Sequence, residues 1–212
     1  MSPETPAVFL DRDGVIVENV DAYVQSWNDI IFLPSALEAL RKLSASDYKI
    51  IMVTNQSAVG RGIITLAQAQ DINQKVVDVI REWGGRIDGV YMCPHAPHEH
   101  CDCRKPLPGL ILQAAAGHCI DLARSFAVGD ALTDIQAGQA AGILHNILVK
   151  TGRGGGQLQL ALKAGLPEFQ VCDNLGDVVN GILSGCLDSG IGGKDNDKNS
   201  TNRGLIKGIN LG

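Results

Sequence analysis

The chain has 212 residues, enough for one substantial hydrophobic core, and its formal net charge is −5 at pH 7. This acidic balance argues against a protein that binds nucleic acid through a basic face. No apolar stretch approaches the roughly 20 residues that a helix needs to span a bilayer. The first residues also lack the basic and apolar parts of a signal peptide, so we expect a cytoplasmic protein with no membrane partner.

Short apolar runs alternate with amphipathic patterns along the whole chain. The runs are typical of buried strands, and the patterns are typical of helices packed on a sheet. Together they predict an α/β fold, a Rossmann-like parallel sheet with helices on both faces. Strands are predicted at 7–10, 50–53, 89–92, 125–128, 146–149 and 169–172, and helices at 35–44, 65–83, 107–119, 133–141, 157–164 and 175–183.

The segments between the predicted strands have room for single helices but not for a large cap domain. From about residue 185 the composition changes to Gly, Asn, Asp, Lys and Ser, with few large apolar groups. Such a segment cannot bury enough surface to offset the entropy of ordering it. We therefore predict one domain over 1–185 and a flexible C-terminal tail over 186–212, and we expect a monomer.

Polar side chains follow four of the predicted strands. Asp11 and Asp13 come directly after the first strand, although a sequence Asp-x-Asp-Gly is by itself equally compatible with a turn. The carboxyl ends of parallel strands share one edge of a sheet, so the four clusters can form one crevice. The other three clusters are residues 54–57, Lys105 with its neighbour Arg104, and Asp130 with Asp134.

These side chains suit a phosphoryl group. Crowded carboxylates such as Asp11, Asp13 and Asp130 repel one another unless a cation binds, and oxygen ligands favour Mg²⁺, which also binds substrate phosphate. Thr54 offers a hydroxyl donor and Lys105 a positive charge for the phosphoryl oxygens. An aspartate can also attack phosphorus and form an aspartyl-phosphate.

Four motifs carry a family resemblance: FLDRDG at 9–14, VTNQS at 53–57, RKP at 104–106, and VGD at 128–130 followed by Asp134. In this order they resemble the motifs of haloacid-dehalogenase (HAD) superfamily phosphatases. Within that superfamily, residues 6–183 resemble the D-glycero-D-manno-heptose-1,7-bisphosphate 7-phosphatase family. The resemblance implies Mg²⁺-dependent removal of the 7-phosphate from that sugar, with a sugar phosphate as the partner.

Three other functions remain open. A histidinol-phosphate phosphatase would have similar motifs and a loop similar to the cysteine-rich segment 93–103, which could hold zinc. A zinc-stabilised interaction module without catalysis would not need the complete set of Asp11, Asp13, Lys105 and Asp130. A nucleic-acid 3′-phosphatase is disfavoured by the acidic balance and by the lack of a basic stripe.

The resemblance also implies a role for each matching residue. Asp11 would be the nucleophile, and Asp13 would protonate the departing sugar oxygen and then deprotonate the hydrolytic water. Thr54 and Lys105 would hold the phosphoryl group. Mg²⁺ would bind Asp11, the backbone carbonyl of Asp13, and Asp130. The implied substrate-binding residues are Asn19, Asp21, Tyr23, Asn55, Gln56, Ser57 and Arg104.

A second group of residues has the composition of a zinc site. Three of the six cysteines fall within eleven residues, and with one histidine they give a complete tetrahedral set for Zn²⁺. Because no position stays open, we expect a structural site in a loop at 93–103, which would aim Arg104 and Lys105 at the phosphate. The predicted ligands are Cys93, His95, Cys101 and Cys103.

Several residues keep a second interpretation. His98 or His100 could replace His95 by spacing, but the family resemblance favours His95, and we expect the other two to be solvated. Asp134 is either a further magnesium ligand or an acidic residue that stabilises the first turn of a helix. Arg61 either contacts substrate or is a solvated loop charge, which is our expectation. The three remaining cysteines, Cys119, Cys172 and Cys186, have no partner by spacing.

Overall fold

Strands and helices alternate in the computed structural model, which describes residues 4–164 and 169–187. The strands are β1 (Thr5–Leu10), β2 (Lys49–Asn55), β3 (Gly89–Cys93), β4 (Ile120–Gly129), β5 (His145–Val149) and β6 (Gln170–Cys172). The helices are α1 (Ala36–Leu43), α2 (Ser57–Gly60), α3 (Leu66–Glu82), α4 (Gly109–His118), α5 (Leu132–Ala140), α6 (Gly154–Ala164) and α7 (Leu175–Leu183). Two 3₁₀ helices occupy Trp27–Asp29 and Pro97–Glu99.

The six strands form one parallel sheet in the order β3-β2-β1-β4-β5-β6. The chain starts in the middle at β1, builds outward to β3, and then crosses to β4 on the other side of β1. The strand order therefore reverses between β1 and β4, and ligands of open α/β sheets bind at the carboxyl ends of the strands beside such a reversal. This architecture confirms the predicted fold class.

Helices cover both faces of the sheet because successive strand residues point to opposite sides. In β1, Val8 and Leu10 pack with α1, α3 and α7, whereas Ala7 and Phe9 pack with α4 and α5. All four side chains are at most 2 % exposed. The unbroken apolar run that predicted β1 is therefore the run of a strand buried on both faces.

The largest difference from the predicted elements is at β4, which begins at Ile120 rather than at 125. The polar residues that obscured this strand satisfy one another, since Arg124 Nε donates to Asp121 Oδ2 at 2.6 Å. The Ser125 hydroxyl accepts from the amide of Ala7 at 2.9 Å, beside a register shift between β1 and β4. The polar side chains therefore pair locally at a bulge in β4, where its partner in β1 advances from Pro6 to Val8 while β4 advances from Asp121 to Phe126.

Helices occupy the segments that follow β1 and β2. The first segment contains the 3₁₀ helix Trp27–Asp29 and α1, and it folds back on itself, since Val17 bridges both Asp13 and Phe32, while the second contains α2 and α3. At the other end, Leu187 packs against the core, and the prediction for residues 188–212 lies outside the described residues. No helix in the described ranges combines the length and the apolar character that crossing a membrane requires.

Candidate active site

A cleft of about 510 Å³ opens at the carboxyl edge of the sheet, next to the end of β1. Asp11, Asp13 and Lys105 line it, and Thr54 and Asp130 lie buried beneath it with 1 % and 0 % exposure. The structure thus brings all four predicted clusters to one place. The predicted substrate-binding residues Asn19, Asp21, Tyr23, Asn55, Gln56, Ser57 and Arg104 all line the same cleft.

The ammonium group of Lys105 lies at the bottom of the cleft and is 5 % exposed. Its three protons match three acceptors: Asp11 Oδ1 at 3.0 Å, Asp134 Oδ1 at 2.5 Å and the carbonyl oxygen of Val53 at 2.8 Å. Burial disfavours the charged form, but the carboxylates of Asp11 and Asp134 outweigh it, so the pKa of Lys105 lies above its ordinary value. A permanent positive charge therefore touches the predicted nucleophile.

The backbone of Lys105 is held by the side chain of Asn55 at the end of β2. The amide of Lys105 donates to Asn55 Oδ1, and Asn55 Nδ2 donates to the carbonyl of Lys105, both at 3.1 Å. This pair of bonds attaches the loop that carries Lys105 to the sheet. Asn55, predicted as a substrate ligand, thus lines the cleft while its amide group fixes the loop.

Asp13 stands apart from the nucleophile, in a hydrogen-bond network of its own. Gln56 Nε2 donates to Asp13 Oδ2 and to Thr54 Oγ1, both at 2.9 Å. The guanidinium of Arg12 approaches Asp13 from the other side, with Nη2 at 3.0 Å from both carboxylate oxygens. Arg12 has no role among the sequence-based predictions, although its position between Asp11 and Asp13 was the available signal.

Three buried carboxylates, Asp11, Asp130 and Asp134, each offer an oxygen within 4.8 Å of the others, whereas the side chain of Asp13 is not in this group. Burial raises the pKa of Asp134 to about 6 despite the opposing charge of Lys105. Burial likewise raises the pKa of Asp130. Such crowded anions fit the oxygen-ligand site predicted for Mg²⁺, because a divalent cation would neutralise them.

Asp134 combines features of both interpretations left open by the sequence. Its Oδ2 accepts from the amide of Ala131 at 3.0 Å, which caps the start of α5, and its Oδ1 binds Lys105. Both oxygens therefore already have donors. The residue stabilises the first turn of α5 and orients Lys105 while lying within reach of a cation.

Asp130 is surrounded by groups from two loops. Asn19 Nδ2 donates to its Oδ2 at 2.5 Å, and the Arg153 backbone amide donates to the same oxygen at 2.8 Å. The Arg153 guanidinium reaches Asp130 Oδ1 at 3.1 Å while remaining 57 % exposed at the cleft. Arg153 is absent from the sequence-based predictions, because they rest on four strand ends and Arg153 lies in the loop after β5, which opens at the same edge.

Two glycines permit this close packing around Asp130. Gly14 and Gly152 both have positive φ values, +82° and +56°. A Cβ atom on either residue would collide with the Asp130 carboxylate and with Asn19 Nδ2. The loops are joined as well, since the Thr151 hydroxyl donates to the carbonyl of Gly14 at 2.6 Å.

The four predicted zinc ligands converge in the loop after β3. With Zn–S bonds of about 2.3 Å and a Zn–N bond of about 2.0 Å, tetrahedral ligands stand about 3.8 Å apart for two sulfurs and about 3.5 Å apart for sulfur and nitrogen. The observed separations are 3.5 to 3.6 Å between sulfurs and 3.4 to 3.6 Å from sulfur to His95 Nδ1. The donor set therefore fits Zn²⁺. The residues that could hold the metal ion are Cys93, His95, Cys101 and Cys103.

The thiol of Cys93 would need a metal ion nearby to lose its proton. Burial raises its pKa to about 12, so without a cation it stays protonated at neutral pH. A metal ion held by these residues would replace that proton and stabilise the thiolate. The same loop supports the cleft, because Arg104 Nη1 donates to the carbonyl of His95 at 3.3 Å. Neither His98 nor His100 belongs to the ligand cluster in the described residues.

Arg61 lies at the rim, where its guanidinium stands over the ring of Tyr23 at 5.9 Å from the centroid. Such a contact fixes Tyr23, one of the predicted substrate residues, at the cleft wall. Arg61 itself is exposed and does not line the cleft.

The fold and the site define a phosphatase of the HAD superfamily, and residues 102–178 match the HAD-hydrolase-like family model. The D-glycero-beta-D-manno-heptose-1,7-bisphosphate 7-phosphatase of Bordetella bronchiseptica is 40 % identical over 177 residues, which are 83 % of this chain and 97 % of that protein. The enzyme of the same name from Helicobacter pylori J99 is 43 % identical over 145 residues, 68 % of this chain and 82 % of that one. The chain therefore belongs to the D-glycero-beta-D-manno-heptose-1,7-bisphosphate 7-phosphatase family, as the motif resemblance predicted.

A solved structure agrees with this assignment. The D,D-heptose 1.7-bisphosphate phosphatase from B. bronchiseptica, crystallised with magnesium and phosphate, superposes with a TM-score of 0.79 at 39 % identity. The match covers 85 % of this chain and 99 % of that one. A second enzyme of that name, from Burkholderia thailandensis, has a TM-score of 0.65 at 34 % identity, with 84 % and 99 % covered.

Proposed function

We propose that this chain hydrolyses the 7-phosphate of D-glycero-D-manno-heptose 1,7-bisphosphate through an aspartyl-phosphate on Asp11. The observation that carries the proposal is the contact between Asp11 Oδ1 and Lys105 Nζ at 3.0 Å, at the bottom of a cleft open to a small substrate. Relatives that are 35 to 43 % identical in sequence to this chain are named as phosphatases of that substrate.

In the first step a carboxylate oxygen of Asp11 attacks phosphorus, and the bond between phosphorus and the sugar oxygen breaks. Asp13 gives its proton to the departing oxygen, so the sugar leaves as an alcohol. In the second step Asp13 takes a proton from water while the water oxygen attacks phosphorus. The bond to Asp11 then breaks, and inorganic phosphate leaves with both aspartates restored.

The remaining polar groups would hold the phosphoryl oxygens during both steps. Thr54 supplies a hydroxyl, and Lys105 a cation that is already fixed by three acceptors. Magnesium bound at Asp11 and Asp130, with the Asp13 carbonyl, would neutralise the charge between an anionic nucleophile and an anionic substrate. Zinc in the loop at 93–103 would be structural, because its four protein ligands leave no open position.

The rest of the substrate would lie along the open cleft, which is lined by Asn19, Asp21, Tyr23 and Arg104. We further propose that the enzyme is a monomer and works as a single domain over 1–185. A cytoplasmic location is supported by the zinc site, because three closely spaced thiols remain reduced most readily in a reducing compartment.

The direct test is phosphate release from a panel of phosphate monoesters with Mg²⁺ present. The panel should contain the heptose 1,7-bisphosphate, the heptose 1-phosphate and histidinol phosphate. We expect the highest kcat/KM with the bisphosphate and the heptose 1-phosphate as the product. A preference for histidinol phosphate would overturn the substrate, and absence of turnover with every monoester would overturn the reaction.

A further inference from the structure

Arg12 is buried to an extent that is unusual for an arginine, with 1 % of its surface exposed. A guanidinium that loses its water must be paired, since an unpaired buried charge is strongly destabilising. Arg12 has two partners. Its Nε and Nη2 face the Asp13 carboxylate at 3.0 to 3.2 Å, and its Nη1 donates to Asn73 Oδ1 at 2.8 Å.

The hydrogen bond to Asn73 attaches the Arg12 side chain to helix α3. Asn73 lies in α3, is 3 % exposed, and contacts Met92 Sδ in β3 through its Nδ2 at 3.3 Å. The neighbouring residues Ile72 and Val76 are buried in the same helix. The guanidinium is therefore attached to a helix that packs on the sheet, rather than to a loop.

As a result, both oxygens of Asp13 are held from two directions. Oδ1 receives Nε and Nη2 of Arg12, while Oδ2 receives Nη2 of Arg12 and Nε2 of Gln56. Asp11 is bound differently: Lys105 and the backbone amide of Arg12 donate to its Oδ1. A change in the Arg12 side chain would thus disturb the proton carrier and leave these contacts of the nucleophile in place.

We propose that Arg12 is a positioning residue, which orients the Asp13 carboxylate for proton transfer to the leaving oxygen and from the hydrolytic water. The inference rests on the proposed function. A general acid must lie within hydrogen-bond distance of the atom it protonates, and a well-placed one contributes about 10²- to 10⁴-fold in rate. The planar fork of arginine fixes both carboxylate oxygens together, which a lysine cannot do.

The test compares Arg12→Met and Arg12→Lys with Arg86→Met. Arg86 is a suitable control, because it also makes several bonds, to Asp88 and to the carbonyls of Ser46 and Tyr48, but it lies before β3 at the opposite edge of the sheet. Urea unfolding and circular dichroism establish that each variant is folded, and the lysine variant serves if the methionine variant does not fold.

Each enzyme is assayed with the heptose bisphosphate and with p-nitrophenyl phosphate, whose leaving group departs without a proton. For Arg12→Met we expect kcat on the sugar phosphate to fall at least about 100-fold with KM changed less than about threefold. The burst of nitrophenolate in the first turnover should survive, since its formation needs Asp11 but no acid. Arg12→Lys should fall between the wild type and Arg12→Met, and Arg86→Met should keep wild-type rates on both substrates.

Equal losses in the rate of the first turnover on both substrates, or Arg12→Met rates that match those of Arg86→Met, would overturn the positioning role. A wild-type enzyme that releases phosphate from none of the sugar phosphates would overturn the proposed function, and this inference with it. The two failures are therefore distinguishable by the wild-type measurement alone.

Discussion

Replacing Lys105 by methionine tests how much the buried ion pairs at the bottom of the cleft contribute to the free energy of unfolding and to catalysis. Lys105 is 5 % exposed and lies 2.5 Å from Asp134 and 3.0 Å from Asp11. Methionine retains most of the side-chain length and removes the ammonium. Two buried carboxylates and the Val53 carbonyl would then lose a donor at the same time.

The expected loss in the free energy of unfolding follows from the burial of the ion pairs that Lys105 makes. Removing one partner of a buried ion pair costs about 3 to 5 kcal/mol, because the other charge stays desolvated without compensation. Lys150 is the matched control: its ammonium is 2.6 Å from Asp173, but the side chains are 49 % and 70 % exposed. Exposed pairs contribute about 0 to 1 kcal/mol, so Lys150→Met should change the free energy of unfolding by no more than that.

Urea unfolding of both variants and the wild type at pH 7 gives the free energies, from midpoints and slopes. Phosphate release under the same conditions gives the effect on catalysis. Loss of a preorganised donor to the phosphoryl oxygens typically costs about 10²- to 10³-fold in kcat, so we expect that drop for Lys105→Met and none for Lys150→Met. If both lysine variants lost the same small amount of stability, the argument from burial would be refuted.

Three further variants test other parts of the site. Asp11→Asn should abolish turnover while the protein still unfolds in one cooperative urea transition. Measurable turnover would refute Asp11 as the nucleophile. Cys101→Ser should lose zinc, measured as metal content per chain, and reduce kcat/KM through the loop that carries the cleft cations, whereas exposed Cys119→Ser should retain both. Arg153→Gln should tighten Mg²⁺ binding in calorimetry by up to about fivefold, because a half-exposed guanidinium that competes for Asp130 is removed; an unchanged Kd would show that it does not compete.

The sequence predicted the fold class and the meeting of the four strand ends because both depend on local patterns. Buried parallel strands appear as apolar runs, and the edge they share is a consequence of parallel pairing alone. The Cys/His cluster was predictable for a similar reason, since all four residues fall within eleven positions and together make a complete tetrahedral set for Zn²⁺.

Side-chain contacts between positions far apart in the chain could not be predicted from the sequence. The bond from Arg12 to Asn73 joins positions 61 residues apart, and that from Arg153 to Asp130 joins positions 23 apart. Neither pair has a local pattern, because each depends on where separate elements pack. The same holds for Asn55, whose side chain holds the backbone of Lys105 fifty residues further on.

The two glycines beside Asp130 have a consequence for how sequences of this kind can vary. Gly14 and Gly152 lie on different loops, yet each occupies the space that the same carboxylate needs, and a Cβ on Gly152 would also collide with the Cα of Gly14. Even alanine at either position would displace an aspartate predicted to bind the metal. A change at one glycine would not make room for a side chain at the other, so each of the two positions requires glycine for its own reason.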